Sequence, residues 1–383
     1  MSDALCVIGA GVVGLSAALS LAKEGYAINL IDGKPIKKKP MSDPARVYAL
    51  NATSHSLLTD LNAWPKQKAA PYLTMDVWDG SSKADIQFDC RDLGQPALGH
   101  IVAEADLKQA LVKQLATYPT IFLHENVKVE SIEDQADKAI VHLSHNDSIN
   151  ASLVMIADGP TSPMRSHLKV PMHEWSYHQQ AFIATVHCEK PHQQCARQIF
   201  LQDSILAFLP LADANQCAIV WSCHPHRAKR LSGLDEAAWG VELTQAFQSR
   251  LGKVSLLSHP IQFPLTMRHV KQYHGKHWLL MGDAAHTVHP MAGLGLNLGL
   301  ADVRCWHELI QDNPHRLTSP RLLGEYQRRR KSAIWPVICL LQTLKHLFNT
   351  NQPGMQIIRS QGLSWVNQSP WLKRQIISKA MRA

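Results

Sequence analysis

Short apolar runs closed by a glycine or an acid recur along the chain. Residues 4–8 run into Gly9, residues 27–31 end at Asp32, residues 153–156 lead to Asp158-Gly159, and residues 278–281 deliver Gly282-Asp283. Runs this short, apolar on every position and bounded by turn residues, predict buried parallel strands with acids at their carboxyl ends. Residues 15–24 alternate with helical period and stop at Gly25, which predicts a helix between the first two strands. A second helix is expected to open in the segment 100–107 and run to about residue 117, followed by strands at 121–129 and 139–143.

The texture changes twice. Residues 72–89 alternate apolar and polar around Gly80-Ser81, a hairpin pattern, and residues 176–264 carry short strand-like runs at 181–187, 197–201, 205–210 and 218–222. These segments predict an antiparallel sheet interrupting the parallel one. From residue 302 the pattern is helical, over 302–311 and then 321 to about 348. The expected fold is α/β. One unit spans 1–71, 99–175 and 265–320; a second, β-rich unit spans 72–98 and 176–264; a helical region covers 321–383.

Composition narrows the class. The 383 residues are 45% hydrophobic and 18% charged, as in a soluble globular protein with room for two domains. The net charge of +8 favours anionic partners such as a phosphorylated nucleotide or acidic lipid. No groove-reading motif accompanies it, so nucleic acid is not an expected partner. The eight cysteines show no Cys-x-x-Cys and no regular spacing, which suits a reducing, cytoplasmic compartment. Met1-Ser2-Asp3-Ala4 lacks the basic region of a signal peptide, and the apolar run at 334–341 falls far short of the ~20 residues that span a bilayer. His173, His178 and His187 lack metal-ligand spacing, so no metal is expected.

Gly9-Ala10-Gly11-Val12-Val13-Gly14 sits between the first strand and the first helix. Gly9 permits the tight turn, Gly11 lets the backbone approach a pyrophosphate, and Gly14 lets helix pack on strand. Asp32 lies roughly 20 residues further on, where a carboxylate accepts from ribose hydroxyls and repels a 2′-phosphate. FAD or NAD is therefore expected here rather than NADP. Residues 293–297 open a helix expected to begin near Asn297, and the bare amides of such a start carry about half a positive charge. Pro290 keeps Val288-His289 out of helix, so residues 286–290 are expected to be a loop.

The stretch 278–302 resembles the ubiquinone-biosynthesis hydroxylases, a branch of the FAD-dependent aromatic hydroxylases typified by para-hydroxybenzoate hydroxylase. The residues that carry the resemblance are Gly282-Asp283-Ala284-Ala285-His286, His289-Pro290, Ala292-Gly293, Gly295, Asn297, Gly299 and Asp302. Leu294 stands where the family usually has Gln. Further along the resemblance come Arg46 in Arg46-Val47-Tyr48-Ala49-Leu50, and Asp158-Gly159 ahead of Ser162 and Arg165. With only one glycine fingerprint in the chain, the family pattern gives that fold to FAD and leaves NADH or NADPH no separate domain.

The resemblance implies a Rossmann-type FAD-binding domain interleaved with an antiparallel-sheet substrate domain. It implies a monooxygenase: NAD(P)H reduces FAD, O2 gives a flavin C4a-hydroperoxide, and one oxygen passes to a phenolic ring. The implied FAD contacts are Gly9, Gly11, Val13, Gly14, Asp32, Arg46, Val127, Asp158, Gly159, Gly282, Asp283, Gly293, Leu294, Gly295, Leu296 and Asn297. His289 and Pro290 are the implied wall at the reactive flavin edge, and no side chain is expected to act as nucleophile. Phe208, Pro210 and Trp221 are candidates to line an aromatic substrate pocket, with core packing as the alternative. For Arg46 the alternative to a cofactor contact is a surface ion pair. Leu294 is tolerable if the family residue contributes mainly its backbone N–H.

The implied substrate is a polyprenylated phenol of ubiquinone biosynthesis. The alternatives are a small soluble aromatic, or a FAD-binding assembly subunit without turnover, which the Leu294 departure motivates. The basic loop 34–39 reads as a solvated loop, or as an attractor of the nicotinamide cofactor or acidic lipid. Lys345, Arg359, Lys373, Arg374, Lys379 and Arg382 suit either docking to an acidic membrane surface or carrier, or a helix packed on the domain with a solvated face.

Overall fold

The computed structural model describes residues 4–36, 46–81, 85–290, 293–314 and 316–349, with side chains as far as Thr343. Five parallel strands form the first sheet, in the order Trp278–Leu280, Val154–Ile156, Leu5–Ile8, Ile28–Asp32, Ile121–Glu125. The four apolar runs that end in acids or glycines are thus neighbours, and their carboxyl ends converge on one edge. The Val12–Lys23 helix follows the first strand at once. It packs that closely because Gly14 has no side chain: a Cβ there would lie 1.8 Å from the Gly9 carbonyl oxygen. Gly9 itself takes φ +101° against Ala157, a backbone only glycine adopts readily.

The larger sheet has nine strands. From one edge its order is His286–Thr287, Ile261–Val270, Met172–Cys188, Gln216–Cys223, Ser204–Pro210, Cys195–Leu201, Thr74–Asp79 and Asp85–Asp89, with Val254–Leu256 also pairing on Met172–Cys188. It is antiparallel except where Thr74–Asp79 runs parallel to Cys195–Leu201, which corrects the expectation of a purely antiparallel sheet. The chain leaves this sheet after residue 89 and returns to it at residue 172, and such a long crossover can deliver a parallel neighbour where a hairpin cannot.

Side-chain alternation divides the faces of this sheet. Leu206, Phe208, Ile219 and Trp221 face the helices Pro225–Ser232 and Glu236–Ala246 and form a second core with Trp239 and Phe247. The other face looks toward the parallel sheet. Two further expectations change. The loop after Gly282-Asp283 contains a short strand, His286–Thr287, because its backbone finds partners in Arg268 and His269. The helix expected from about Asn297 begins at Leu294, capped by Gly293 in the left-handed region at φ 61°.

Replacing Gly14 by Ala forces the strand and helix apart. It should cost about 3 kcal/mol, the upper end for overpacking, read as a lowered urea midpoint; an unchanged midpoint would contradict this packing.

Candidate functional site

A cavity of about 1290 Å³ lies between the carboxyl edge of the parallel sheet and the inner face of the large one. Ala10, Gly11, Val13 and Asp32 of the glycine turn line it, together with Arg46, Gly159, Gly282, Asp283, Pro290, Gly293, Gly295 and Leu296. Elements far apart in sequence therefore meet at one hollow.

Two glycines show that the hollow is built for backbone approach. A Cβ placed on Gly11 or on Gly295 would meet nothing within 4 Å, although both residues line the cavity. A side chain there would occupy ligand space, not protein space. Gly282 and Gly299 do a different job: each accommodates Val13, whose side chain would lie 3.1 Å and 2.8 Å from the added Cβ atoms.

The charged groups are held in place. Asp32 accepts the Ala10 amide on Oδ2 at 2.6 Å and the Lys34 amide on Oδ1 at 2.8 Å, which fixes the carboxylate beside the glycine turn. Arg46 lines the cavity while its Nε pairs with Glu104 Oε2 at 2.9 Å. Its guanidinium lies 5.9 Å from the centre of the Tyr48 ring, and burial pushes the Tyr48 phenol well above its usual range. Burial also raises the Asp283 carboxyl, against the pull of His286 and Arg46.

Beneath the site lies a polar network that sequence reasoning missed. The fully buried Asp302 accepts on Oδ2 from the Gly282 amide and from His286 Nε2, both at 2.7 Å, and on Oδ1 from Arg330 Nε at 2.5 Å. Burial opposes its charge, but His286 and Arg330 hold the carboxyl below its ordinary value. Arg330 also donates to the Leu298 carbonyl at 3.1 Å. The only signal in the sequence was that Asp302 matched a motif, and nothing there pointed to Arg330. Arg165 makes a second tie, donating to the carbonyls of Ala284 at 2.9 Å and Pro160 at 2.8 Å.

Several expected contacts fall elsewhere. Asn297 does not line the cavity. Its Oδ1 accepts from the Asn51 amide and the Ser54 hydroxyl, and its Nδ2 donates to the carbonyls of Ala49 and Gly293, so it anchors the glycine cap. The side chain of Leu294 turns into the core because it occupies the helix's inward face. Val127 donates its amide to the Asp32 carbonyl at 3.1 Å and packs its side chain on the core, outside the lining. Asp158 folds back to accept the Met164 amide at 3.3 Å, while its neighbours Ala157, Gly159 and Pro160 line the cavity. Of the pair His289-Pro290, Pro290 lines it, whereas the His289 ring is buried against Tyr177 and bonds Gln179 at 3.1 Å.

Phe208, Pro210 and Trp221 are a correction of one residue in register. They point away from the cavity, and Phe208 stacks on Phe247 at 3.9 Å. Their strand neighbours Ala207, Leu209, Val220 and Ser222 face it instead. A strand alternates faces at every residue, and an apolar strand buried on both sides gives no clue to which parity looks inward. Lys108 and Gln109 also line the cavity, and no motif marks them.

A protein-family model described as an FAD binding domain matches residues 2–340. The chain belongs to this FAD-binding family. A curated relative, 3-demethoxyubiquinol 3-hydroxylase of Escherichia coli (strain K12), is 33% identical, the match covering 98% of each chain. Ubiquinone biosynthesis monooxygenase COQ6 of Danio rerio is 28% identical, over 99% of this chain and 89% of that protein. Among solved structures, p-nitrophenol 4-monooxygenase PnpA from Pseudomonas putida DLL-E4 superposes with a TM-score of 0.79 at 18% identity, covering 100% of this chain and 98% of that one, which shows the fold. The protein is an FAD-dependent oxidoreductase of the monooxygenase class, and the open backbone at Gly11 and Gly295 fits that cofactor.

Two outcomes are expected. Gly295→Asp puts a carboxylate into the cavity beside the helix start, and the purified variant should lose its bound flavin absorbance; a fully yellow, active variant would contradict the placement of this loop. His269 is buried and bonded to Tyr273 at 3.1 Å, and burial pushes its pKa from 6.5 to about 4. The unfolded chain then takes up a proton that the fold refuses, so stability is lost as pH falls from 6.5 toward 4. His269→Gln should flatten that part of a urea-midpoint profile; an identical slope would show that His269 does not contribute.

Proposed function

We propose that this protein hydroxylates a polyprenylated phenol in ubiquinone biosynthesis, with NADH or NADPH as reductant and O2 as oxidant. The observation that carries the choice of substrate is the wall facing the glycine loops. It presents Ile183, Ile205, Val220, Ile261 and Phe263 to the cavity. Arg197 lies opposite Phe208 and so directs its guanidinium to the outer face of the sheet, where it meets Asp76 at 3.7 Å and the His192 carbonyl at 2.8 Å. A small aromatic acid needs an unpaired cation in its pocket, whereas a prenyl chain needs apolar wall, at roughly 0.8 kcal/mol for each buried CH2. The names of the Escherichia coli and Danio rerio relatives agree with this reading.

Bound FAD supplies the redox and oxygen chemistry. The chain's residues bind, orient and shield. Gly11, with the turn around it, suits the pyrophosphate, and Asp32 suits the ribose of the adenosine half. Asp283, half-buried at the cavity wall, is placed for the ribityl hydroxyls. Gly295 and Leu296 offer the first amides of the Leu294–Gln311 helix, a partial positive charge suited to the ring when it becomes anionic. Pro290 and the apolar wall exclude water from the reacting ring. The inward turn of Leu294 supports turnover over a purely assembling role, since replacing Gln leaves the backbone donor in place.

We read the net charge of +8 as favouring work at an acidic membrane surface or lipid carrier on the cytoplasmic side. Among the described residues no helix is long and apolar enough to cross a membrane. The side chain of Lys345, the later basic positions of the tail and Lys37 to Lys39 of the loop lie outside what the structure describes.

Deleting the gene should make a quinone precursor lacking one ring hydroxyl accumulate, and the purified protein should oxidise NADH or NADPH in step with product. Unchanged quinone pools would rule out the proposed substrate. Failure to float with acidic liposomes, or to co-purify with lipid or a lipid-carrying partner, would remove the docking idea alone.

A further inference from the structure

The inner face of the large sheet is nearly all hydrocarbon, and its exceptions are informative. On the strands Cys195–Leu201, Ser204–Pro210 and Gln216–Cys223, the cavity-lining residues are Ala, Ile, Leu and Val apart from Arg197, Gln198 and Ser222. Arg197 directs its guanidinium to the outer face, onto Asp76. Gln198 and Ser222 are 6% and 3% exposed, and among the described residues neither side chain has a hydrogen-bond partner. Their polar ends are not fully enclosed, so they open onto the cavity and are available to a ligand held there.

Their spacing limits what that ligand is. Gln198 lies opposite Ala207, Ala207 lies opposite Val220, and Ser222 follows two residues on, on the same face as Val220. Strand spacing puts the two α-carbons about 12 Å apart. Once the longer Gln198 side chain reaches inward, that gap fits an aromatic ring with oxygens on different sides. Neither group is charged. The amide of Gln198 both accepts and donates, as does the Ser222 hydroxyl, so the pair matches neutral hydroxyl and alkoxy substituents rather than a carboxylate.

We propose that Gln198 and Ser222 are the specificity-determining pair that reads the oxygen substituents of the substrate ring, holding it flat between apolar rows. The inference rests on the phenol-hydroxylase reading above and adds the residues that recognise the phenol. Gln198 accepts from the phenolic O–H, and Ser222 donates to an oxygen elsewhere on the ring.

The test uses the flavin-loaded protein with 2-farnesyl-4-methoxyphenol, whose two oxygens lie on opposite sides of the ring, and with the ether formed by methylating its phenolic O–H, both in detergent micelles. Affinity is read from the change each causes in the flavin's visible spectrum, and turnover from product. The wild type should bind the phenol about tenfold more tightly than the ether, the worth of one hydrogen bond. Gln198→Met should bring that ratio to near one, and Ser222→Ala should raise KM for the phenol, while both keep their flavin. An unchanged ratio in Gln198→Met, with the phenol still hydroxylated by the wild type, overturns the clamp and leaves the proposed function standing. A wild type that neither binds nor hydroxylates the phenol removes both. Variants that lose flavin together with substrate discrimination would show that these side chains support the cofactor or the fold, and the clamp would fall.

Discussion

The carboxylate of Asp302 lies wholly inside the protein, where an isolated charge would be far too costly to keep. It is tolerated because three donors converge on it: the Gly282 amide, His286 and Arg330. Each donor belongs to a different piece of the site. Gly282 begins the loop that carries Asp283, His286 starts the short strand at the edge of the large sheet, and Arg330 comes from the Pro320–Asn349 helix. Asp302 itself rides on the helix whose first turn lines the cavity. Removing one partner of such a buried pair generally costs about 3–5 kcal/mol, so these pieces hold together or fail together.

A second constraint is the division of the large sheet into two faces. Its outer side packs Phe208, Trp221, Trp239 and Phe247 into a core that can give up nothing without loss of packing. Its inner side carries smaller groups, Ala207, Val220 and Ser222, and so leaves the hollow. Large aromatics on the covered side and small residues on the open side are how one sheet serves as both scaffold and roof. The fold shared with p-nitrophenol 4-monooxygenase at only 18% identity fits this view, because packing and backbone geometry can persist while the lining changes.

Much of the fold is legible in the sequence. The apolar runs ending in Asp32, Asp158 and Asp283 are parallel strands or lead directly from them, since a strand buried on both faces needs that composition. Gly9, Gly11 and Gly14 declared the turn: Gly9 takes φ +101°, Gly14 leaves no room for a Cβ beside the Gly9 carbonyl, and Gly11 keeps the cavity side of the turn open. The match around Gly282 to Asp302 declared the family, which the similarity of the whole chain to an FAD-binding family supports.

Other features depended on partners distant in sequence, and one-dimensional pattern cannot show these. Asn297 looked like a cofactor contact and proved to be a brace between Asn51, Ser54 and Ala49. Phe208 and Trp221 looked like pocket walls because aromatics attract attention, yet which parity of an all-apolar strand faces inward is decided by what packs on its far side. The buried ion pair of Asp302 with Arg330 bridges separate helices. The chain's own residues thus determined the strands and the glycine turn, which follow from local backbone chemistry, and narrowed the cofactor to FAD or NAD, a choice made by the family match. The tertiary structure alone decided which side chains meet the ligand and which hold those in place, because burial and hydrogen bonding are settled only once distant segments are in contact.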